Sequence, residues 1–286
     1  MKSIKYLFII ATLIFTGTVA CDIIEDPYTT DSEGPVVDSN SPNILLEEFT
    51  GHTCIYCPGG SKIAKALEQQ YYGKIFVVTI HCGNMARPEN GDKYNYDFRT
   101  LEGTELDVFY KINTDGLPRG MINRFPYNNK TTISASNWKN AVTNFWKSNK
   151  IRQVDIDLTA QYNNSTKIIS GNLKLNYLIS QNLQNKLSVW IVEDDIINWQ
   201  RSIDPPYDIP DYQHNDVLRY SFNGTWGENI SSSNIPVGFV FEKNYSLQIE
   251  DRDWNPNNLR FIAFVYDDNG VKQVIDAKVL IDNTEE

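Results

Sequence analysis

The first half of the chain combines short apolar runs with segments of helical periodicity. Residues 43–49 have an apolar core (Ile44, Leu45, Leu46 and Phe49), which predicts a buried strand. Residues 75–80 form a continuous apolar run, as expected of a parallel sheet covered on both faces. Residues 61–72 and 137–148 carry apolar side chains at the spacing of a helix face. This order of elements predicts an α/β domain over residues 43–150.

From residue 151 onward, apolar and polar positions alternate, as is typical of half-buried antiparallel strands. The segments with this pattern, or with short apolar runs, are residues 154–160, 169–177, 187–192, 237–241, 245–249, 259–266 and 271–280. Asp267-Asp268-Asn269-Gly270 predicts a tight hairpin turn between the last two. We therefore expect an all-β, sandwich-like domain over residues 151–286. Residues 196–226 form a long passage with several prolines, for which we predict an ordered irregular loop.

The amino terminus has the features of an export signal. Lys2 and Lys5 precede an apolar run, and small residues lead from it to Cys21, which predicts a signal peptide over residues 1–20. Thr18-Val19-Ala20-Cys21 resembles a bacterial lipobox, which implies that Cys21 is lipidated and anchors the protein to a membrane. The alternative is an ordinary signal peptide that leaves Cys21 as a free thiol. Residues 21–42 are polar and acidic and contain three prolines, so we expect a flexible tether.

Charge and cysteine content narrow the classes of function. The 286 residues carry a formal net charge of −10, which repels phosphate backbones and argues against nucleic-acid binding. Four cysteines are too few for a disulfide scaffold in a chain of this length. Each cysteine must therefore be interpreted by its own position.

Cys54 and Cys57 form a CxxC motif between the first predicted strand and the first predicted helix. Backbone N–H groups at a helix start favour thiolate over thiol, so Cys54 is the candidate nucleophile. Cys57, one turn later, can resolve a mixed disulfide by attacking Cys54. The motif predicts thiol–disulfide chemistry.

Other uses of the cysteines have weaker support. A structural zinc site needs a second cysteine or histidine pair at the right spacing, which is missing, so we expect no metal and no cofactor. A Cu(I) site that adds Cys82 ranks last, because Met85 is the only nearby thioether. Cys82 ends the second predicted strand, at the sheet edge where the CxxC helix begins. It is a candidate auxiliary thiol, with a structural strand-end cysteine as the alternative.

The strand, CxxC and helix together resemble the thioredoxin-like fold. Glu48 lies six positions before Cys54, where that family carries a buried acid, which implies that Glu48 accepts a proton from Cys57. The alternative is that Glu48 faces solvent and Glu47 points inward. The resemblance also implies that Pro118 follows a cis peptide bond and presents a substrate strand. Residues 84–112 hold more than the usual crossover helix, so we expect an insertion that shapes substrate access.

Nearly the whole chain from residue 43 resembles outer-membrane lipoproteins of the Bacteroidota that join a thioredoxin-like region to a β-domain. The resemblance rests on the segments 49–58, 117–124, 214–219 and 254–266. It implies a bacterial cell-envelope lipoprotein at the outer membrane, facing the periplasm or the surface.

Two hypotheses about function follow. The first is a membrane-tethered thiol–disulfide oxidoreductase that acts through Cys54 and Cys57 on exported client proteins and needs a redox partner. The alternative is a non-catalytic lipoprotein that binds a protein or glycan, with a structural disulfide and with aromatic residues of the 196–226 passage at the surface (Trp199, Tyr207, Tyr212 and Trp226). Solvent access to Cys54 separates them, because exchange requires an open sulfur.

Overall fold

The computed structural model describes residues 37–182 and 184–282. The predicted signal peptide, Cys21 and the tether up to residue 36 lie outside the described residues. Within the described ranges, no helix combines the length and the apolar content that crossing a membrane requires.

Strands dominate the structure, with helices concentrated before residue 150. The helices are α1 (Cys57–Gln70), α2 (Leu101–Tyr110), α3 (Ile112–Asp115) and α4 (Trp138–Ser148). The strands are β1 (Ile44–Thr50), β2 (Ile75–His81), β3 (Arg119–Ile122), β4 (Ile133–Ser134), β5 (Val154–Asn163), β6 (Ile168–Tyr177), β7 (Lys186–Glu193), β8 (Ile196–Arg201), β9 (Asp208–His214), β10 (Val217–Ser221), β11 (Glu228–Asn229), β12 (Val240–Gln248), β13 (Leu259–Asp267) and β14 (Gly270–Asp282).

One large mixed sheet of 12 strands contains most of these elements. Its order is β12-β6-β5-β14-β13-β7-β10-β2-β1-β3-β4, with β11 paired to β7. β10 joins β2 in parallel where Val217 faces Thr79, so strands from both sides of residue 150 share the sheet. The fold is therefore mostly β with some helices. That residues 43–150 form a thioredoxin-like domain, separate from a sandwich over residues 151–286, stays a prediction.

The α/β part is organised around two parallel strands. β1 and β2 pair from Ile44 opposite Ile75 to Thr50 opposite His81, and β3 runs antiparallel to β1. Side chains from one face of these strands pack with α1 and α4 in a core that includes Trp138. All seven residues of each parallel strand are buried, as the apolar run of β2 predicts, and on β1 they include Glu47 and Glu48.

Two layers of strands face each other in the second half of the chain. β5 and β6 pack against β7 and β13 around buried aliphatic residues such as Leu173 and Val189. Gly171 on β6 lies against the ring of Phe261 on β13, so that an added Cβ would come within 2.6 Å of the ring. The 13-residue strand β14 pairs with β13 and then with β5, which connects the layers.

The close contact at Gly171 predicts that a larger residue there destabilises the protein. We expect Gly171→Ala to lower the free energy of unfolding by about 1–3 kcal/mol, because the new methyl group overpacks the core against Phe261. Gly59→Ala on α1 is the matched control, since nothing lies within 4 Å of its added Cβ. Urea unfolding of both variants tests the prediction, and an equal stability of the two would contradict it.

Residues 196–226 are more regular than predicted. β8 and β9 form a separate antiparallel hairpin, and β10 enters the main sheet. The prediction of a long irregular loop was therefore wrong, since β8 pairs with β9 and β10 pairs with β2 and β7, although the segment has little local strand pattern. The turn Asp267–Gly270 is confirmed, as is α4 with its buried apolar stripe.

Candidate functional site

The CxxC motif lies between the end of β1 and the first turn of α1. Cys54 and Cys57 are joined as a disulfide. The Cys54 N–H donates to the Gly51 carbonyl, and the Cys57 N–H donates to the Cys54 carbonyl, at 3.0 and 3.3 Å. Because α1 begins at Cys57, Cys54 lies on the preceding turn and not, as expected, at the start of the helix.

The disulfide is closed off from solvent. Cys54 and Cys57 are each 1% exposed. The β8–β9 hairpin bonds to the loop before α1, because the Arg201 N–H donates to the His52 carbonyl at 2.8 Å and the Ile203 N–H donates to the Ile55 carbonyl at 2.9 Å. The Gln200 side-chain amide donates to the Cys54 carbonyl at 3.1 Å. The hairpin therefore covers the CxxC motif, a role that its sequence did not reveal.

The predicted insertion, residues 84–112, also contacts the loop before α1. The Thr53 N–H and hydroxyl both donate to the Met85 carbonyl, at 3.0 and 2.9 Å. Gly51 allows this approach, because an added Cβ there would lie 2.5 Å from the Met85 carbonyl carbon. The loop that carries Cys54 is thus held by two segments distant in sequence.

Glu48 lies beneath the first turn of α1 and is 1% exposed, so it does not face solvent. The Ser61 hydroxyl donates to Glu48 Oε1 at 2.8 Å and lies 3.3 Å from the Cys57 carbonyl oxygen. Burial raises the pKa of Glu48 to about 8, with a further contribution from Asp216 and opposition from the Ser61 hydrogen bond. Its role as proton acceptor for Cys57 stays a prediction.

The raised pKa of Glu48 predicts how stability depends on pH. Since its folded pKa of about 8 lies above the ordinary 4.5, its contribution is fully present below pH 4.5 and is lost as pH rises through 8. As pH rises from 5 to 9, we expect the free energy of unfolding of Glu48→Gln to increase by at least about 2 kcal/mol relative to that of the wild type. Chemical unfolding of both proteins at each pH tests this, with Glu242→Gln as an exposed control on β12. A constant difference across the range would contradict it.

Glu47, on the opposite face of β1, forms a buried ion pair. Its carboxylate accepts hydrogen bonds from Arg124 Nε at 3.0 Å and from Arg124 Nη2 at 2.8 Å. The guanidinium lies over the rings of Tyr266 and Phe264, 4.8 and 5.1 Å from their centroids. Glu47 and Glu48 are therefore both buried, on opposite faces of β1. The sequence analysis did not identify Arg124 as the ion-pair partner of Glu47.

The other predicted site residues lie at defined places. The Leu117–Pro118 bond is cis, and Pro118 packs on α1 at Gly60, where an added Cβ would lie 2.8 Å from the proline Cβ. Cys82 is fully buried in the core near Leu106, and burial raises the pKa of its thiol. Disulfide exchange at Cys82 would therefore need local opening of the structure.

All three histidines of the chain surround one phenylalanine beside the CxxC loop. The rings of His81, His214 and His52 lie 4.4, 4.6 and 5.7 Å from the Phe98 ring, and all three are buried. Burial lowers the pKa of each imidazole, so the cluster is neutral near pH 7. Across the described ranges, no group of three or more His, Cys, Asp or Glu side chains is arranged to hold a metal ion.

Comparison with known proteins establishes the family. Residues 107–283 match the model of the outer membrane protein Omp28 family, so the chain belongs to this family. This membership supports a location at the outer membrane or in the cell envelope. No curated protein matches the chain.

Comparison with solved structures finds similarity at low sequence identity. HBP35 of Porphyromonas gingivalis superposes with a TM-score of 0.63 at 15% identity, over 87% of this chain and 80% of that one. A protein from Agrobacterium tumefaciens gives a TM-score of 0.49 at 10% identity, over 87% of this chain and 98% of its own. The likeness to HBP35 concerns the fold alone.

Proposed function

We propose that this protein is a non-catalytic binding protein of the outer membrane or cell envelope, in which the Cys54–Cys57 disulfide is a structural cross-link. The 1% exposure of both cysteines beneath the β8–β9 hairpin carries the proposal. Lipidation of Cys21 anchors the chain to the membrane in this account.

The buried position opposes thiol–disulfide exchange for a simple geometric reason. An attacking thiolate must reach a disulfide sulfur, and its rate depends on that access. Here the hairpin would first have to release its hydrogen bonds to the His52 and Ile55 carbonyls. A disulfide in such a setting is suited to stabilising the loop and is poorly accessible to the thiolate of a client protein.

An apolar surface around the covered motif supports a binding role. Five side chains at this end of the molecule are between 40 and 65% exposed, namely Ile55, Tyr56, Met85, Ile203 and Tyr207. The backbone hydrogen bond from Ile203 to Ile55 places the exposed residues of the hairpin next to those of the CxxC motif. Groups of exposed apolar residues mark interaction sites, which favours a protein or glycan partner here.

Thiol–disulfide oxidoreduction on exported client proteins is the second candidate. It is favoured by the proximity of the disulfide, the cis bond before Pro118 and buried Glu48 around the first turn of α1. This function would require the hairpin to move away from Cys54, and a redox partner to renew the active state.

Turnover with a model client tests the choice between the two. In an insulin reduction assay driven by dithiothreitol, we expect the protein to give no more turnover than a Cys54→Ser/Cys57→Ser variant. Turnover above that level, abolished by Cys54→Ser alone, would overturn the proposal and support the oxidoreductase.

A further inference from the structure

A cavity of about 320 Å³ opens between α1 and the adjoining strands. Its lining includes Glu48 from β1, Ser61 from α1, Tyr212 and His214 from β9, and Asp216 just before β10. At about 30 Å³ per water molecule, the space corresponds to roughly ten waters, which is the size of a ligand with about ten non-hydrogen atoms.

The polar groups in this cavity are rich in hydrogen-bond acceptors. The carboxyl groups of Glu48 and Asp216 belong to residues that are 1 and 7% exposed. Glu48 accepts one hydrogen bond, from Ser61, and Asp216 pairs with Arg260. His214 is 4% exposed, and its Nε2 has no hydrogen-bond partner among the described residues. A ligand that complements this lining must bring hydrogen-bond donors.

The cations near the cavity leave Glu48 without a positive partner. Lys62 and Lys65 line the cavity from α1 but are exposed, and Lys65 pairs with Glu68 at 2.6 Å. Burial keeps Glu48 mostly protonated at pH 7 in the unliganded protein, and a positively charged group in the cavity favours its ionised form through a charge-assisted hydrogen bond, so that the proton is released on binding. Ala64 and Val77 also line the cavity and give it an apolar wall.

We propose that this cavity binds the α-ammonium group of a small amino-acid-like ligand, held by Glu48 with Asp216 nearby and with an apolar side chain against Ala64 and Val77. The source of this group is either a free amino acid or the N-terminus of a peptide. The inference rests on the proposed binding function and gives it a ligand class.

Isothermal titration calorimetry on the oxidised mature protein, at pH 7, tests this inference. The probes are L-leucine, L-leucinamide, the tripeptide Leu-Gly-Gly and N-acetyl-L-leucinamide, which lacks the ammonium group. We expect leucinamide to bind at least tenfold more tightly than its acetylated form. Preference for leucine over the tripeptide indicates a free amino acid, and the reverse indicates a peptide N-terminus.

Two variants connect the binding to the cavity. We expect Glu48→Gln to weaken leucinamide binding by tenfold or more and Glu242→Gln, on β12, to leave it unchanged. If Glu48→Gln fails to fold, the comparison of leucinamide with its acetylated form on the wild type decides alone. Equal binding of those two probes, or no binding of any amine tighter than about 10 mM, would overturn the inference. Such a failure leaves the insulin result untouched, so the two proposals fail separately.

Discussion

Replacing Arg124 with methionine should lower the free energy of unfolding by about 3–5 kcal/mol. The substitution leaves the Glu47 carboxylate in a site that is 0% exposed, without the hydrogen bonds that Nε and Nη2 of the guanidinium supply. It also removes the cation over the Tyr266 ring. Urea unfolding at pH 7 measures the loss.

Two further variants show whether the unpaired Glu47 charge causes the loss of stability. Glu47→Leu combined with Arg124→Met should recover most of the loss, because replacing both members of a buried ion pair with apolar groups is often neutral. Arg119→Met is the matched single control, since its 3.3 Å pairing with Asp115 lies near the surface and should be worth at most about 1 kcal/mol. A double variant as unstable as Arg124→Met would show that charge burial does not explain the loss.

Replacing Ile203 with proline should speed reduction of the disulfide by glutathione about fivefold. Proline has no N–H to donate, so the hairpin loses its bond to the Ile55 carbonyl. A backbone hydrogen bond contributes about 1 kcal/mol, and 1.4 kcal/mol corresponds to a factor of ten in the equilibrium for local opening.

Tyr207→Ala is the control for this experiment, because Tyr207 is 65% exposed and its truncation keeps the backbone bonds. We expect its reduction rate to equal that of the wild type. Global stability must be measured for both variants, so that local opening is distinguished from unfolding. An unchanged rate in Ile203→Pro would contradict the view that the hairpin controls access to Cys54.

The elements that the sequence predicted well are those with a strong local signal. β1 and β2 follow from short apolar runs, which glutamates interrupt in β1, and α4 follows from a five-residue apolar stripe at helical spacing. The β8–β9 hairpin was missed because several of its residues are exposed and polar, so that its strands lack a clear apolar pattern. Its hydrogen bonds to the CxxC loop join residues nearly 150 positions apart, which leave no local pattern in the sequence.

The sequence predicted several residues of the candidate site but not the residues that surround them. The CxxC motif and the proline loop were visible as residue types, and the family resemblance drew attention to Glu48. The Glu47–Arg124 pair and the three histidines around Phe98 join residues that are far apart in the sequence. Nothing about a single buried arginine or histidine indicates its partner, so only the fold brings these groups together.

The most direct test of the structural role of the disulfide is the reduction potential of the Cys54–Cys57 pair. It can be measured by equilibrating the mature protein with redox buffers, alongside a Cys82→Ser variant that excludes alternative pairing. A covered, structural disulfide predicts a value below about −300 mV in both proteins. A value between about −270 and −120 mV, the span of working oxidoreductases, would contradict this account and favour catalysis on exported proteins.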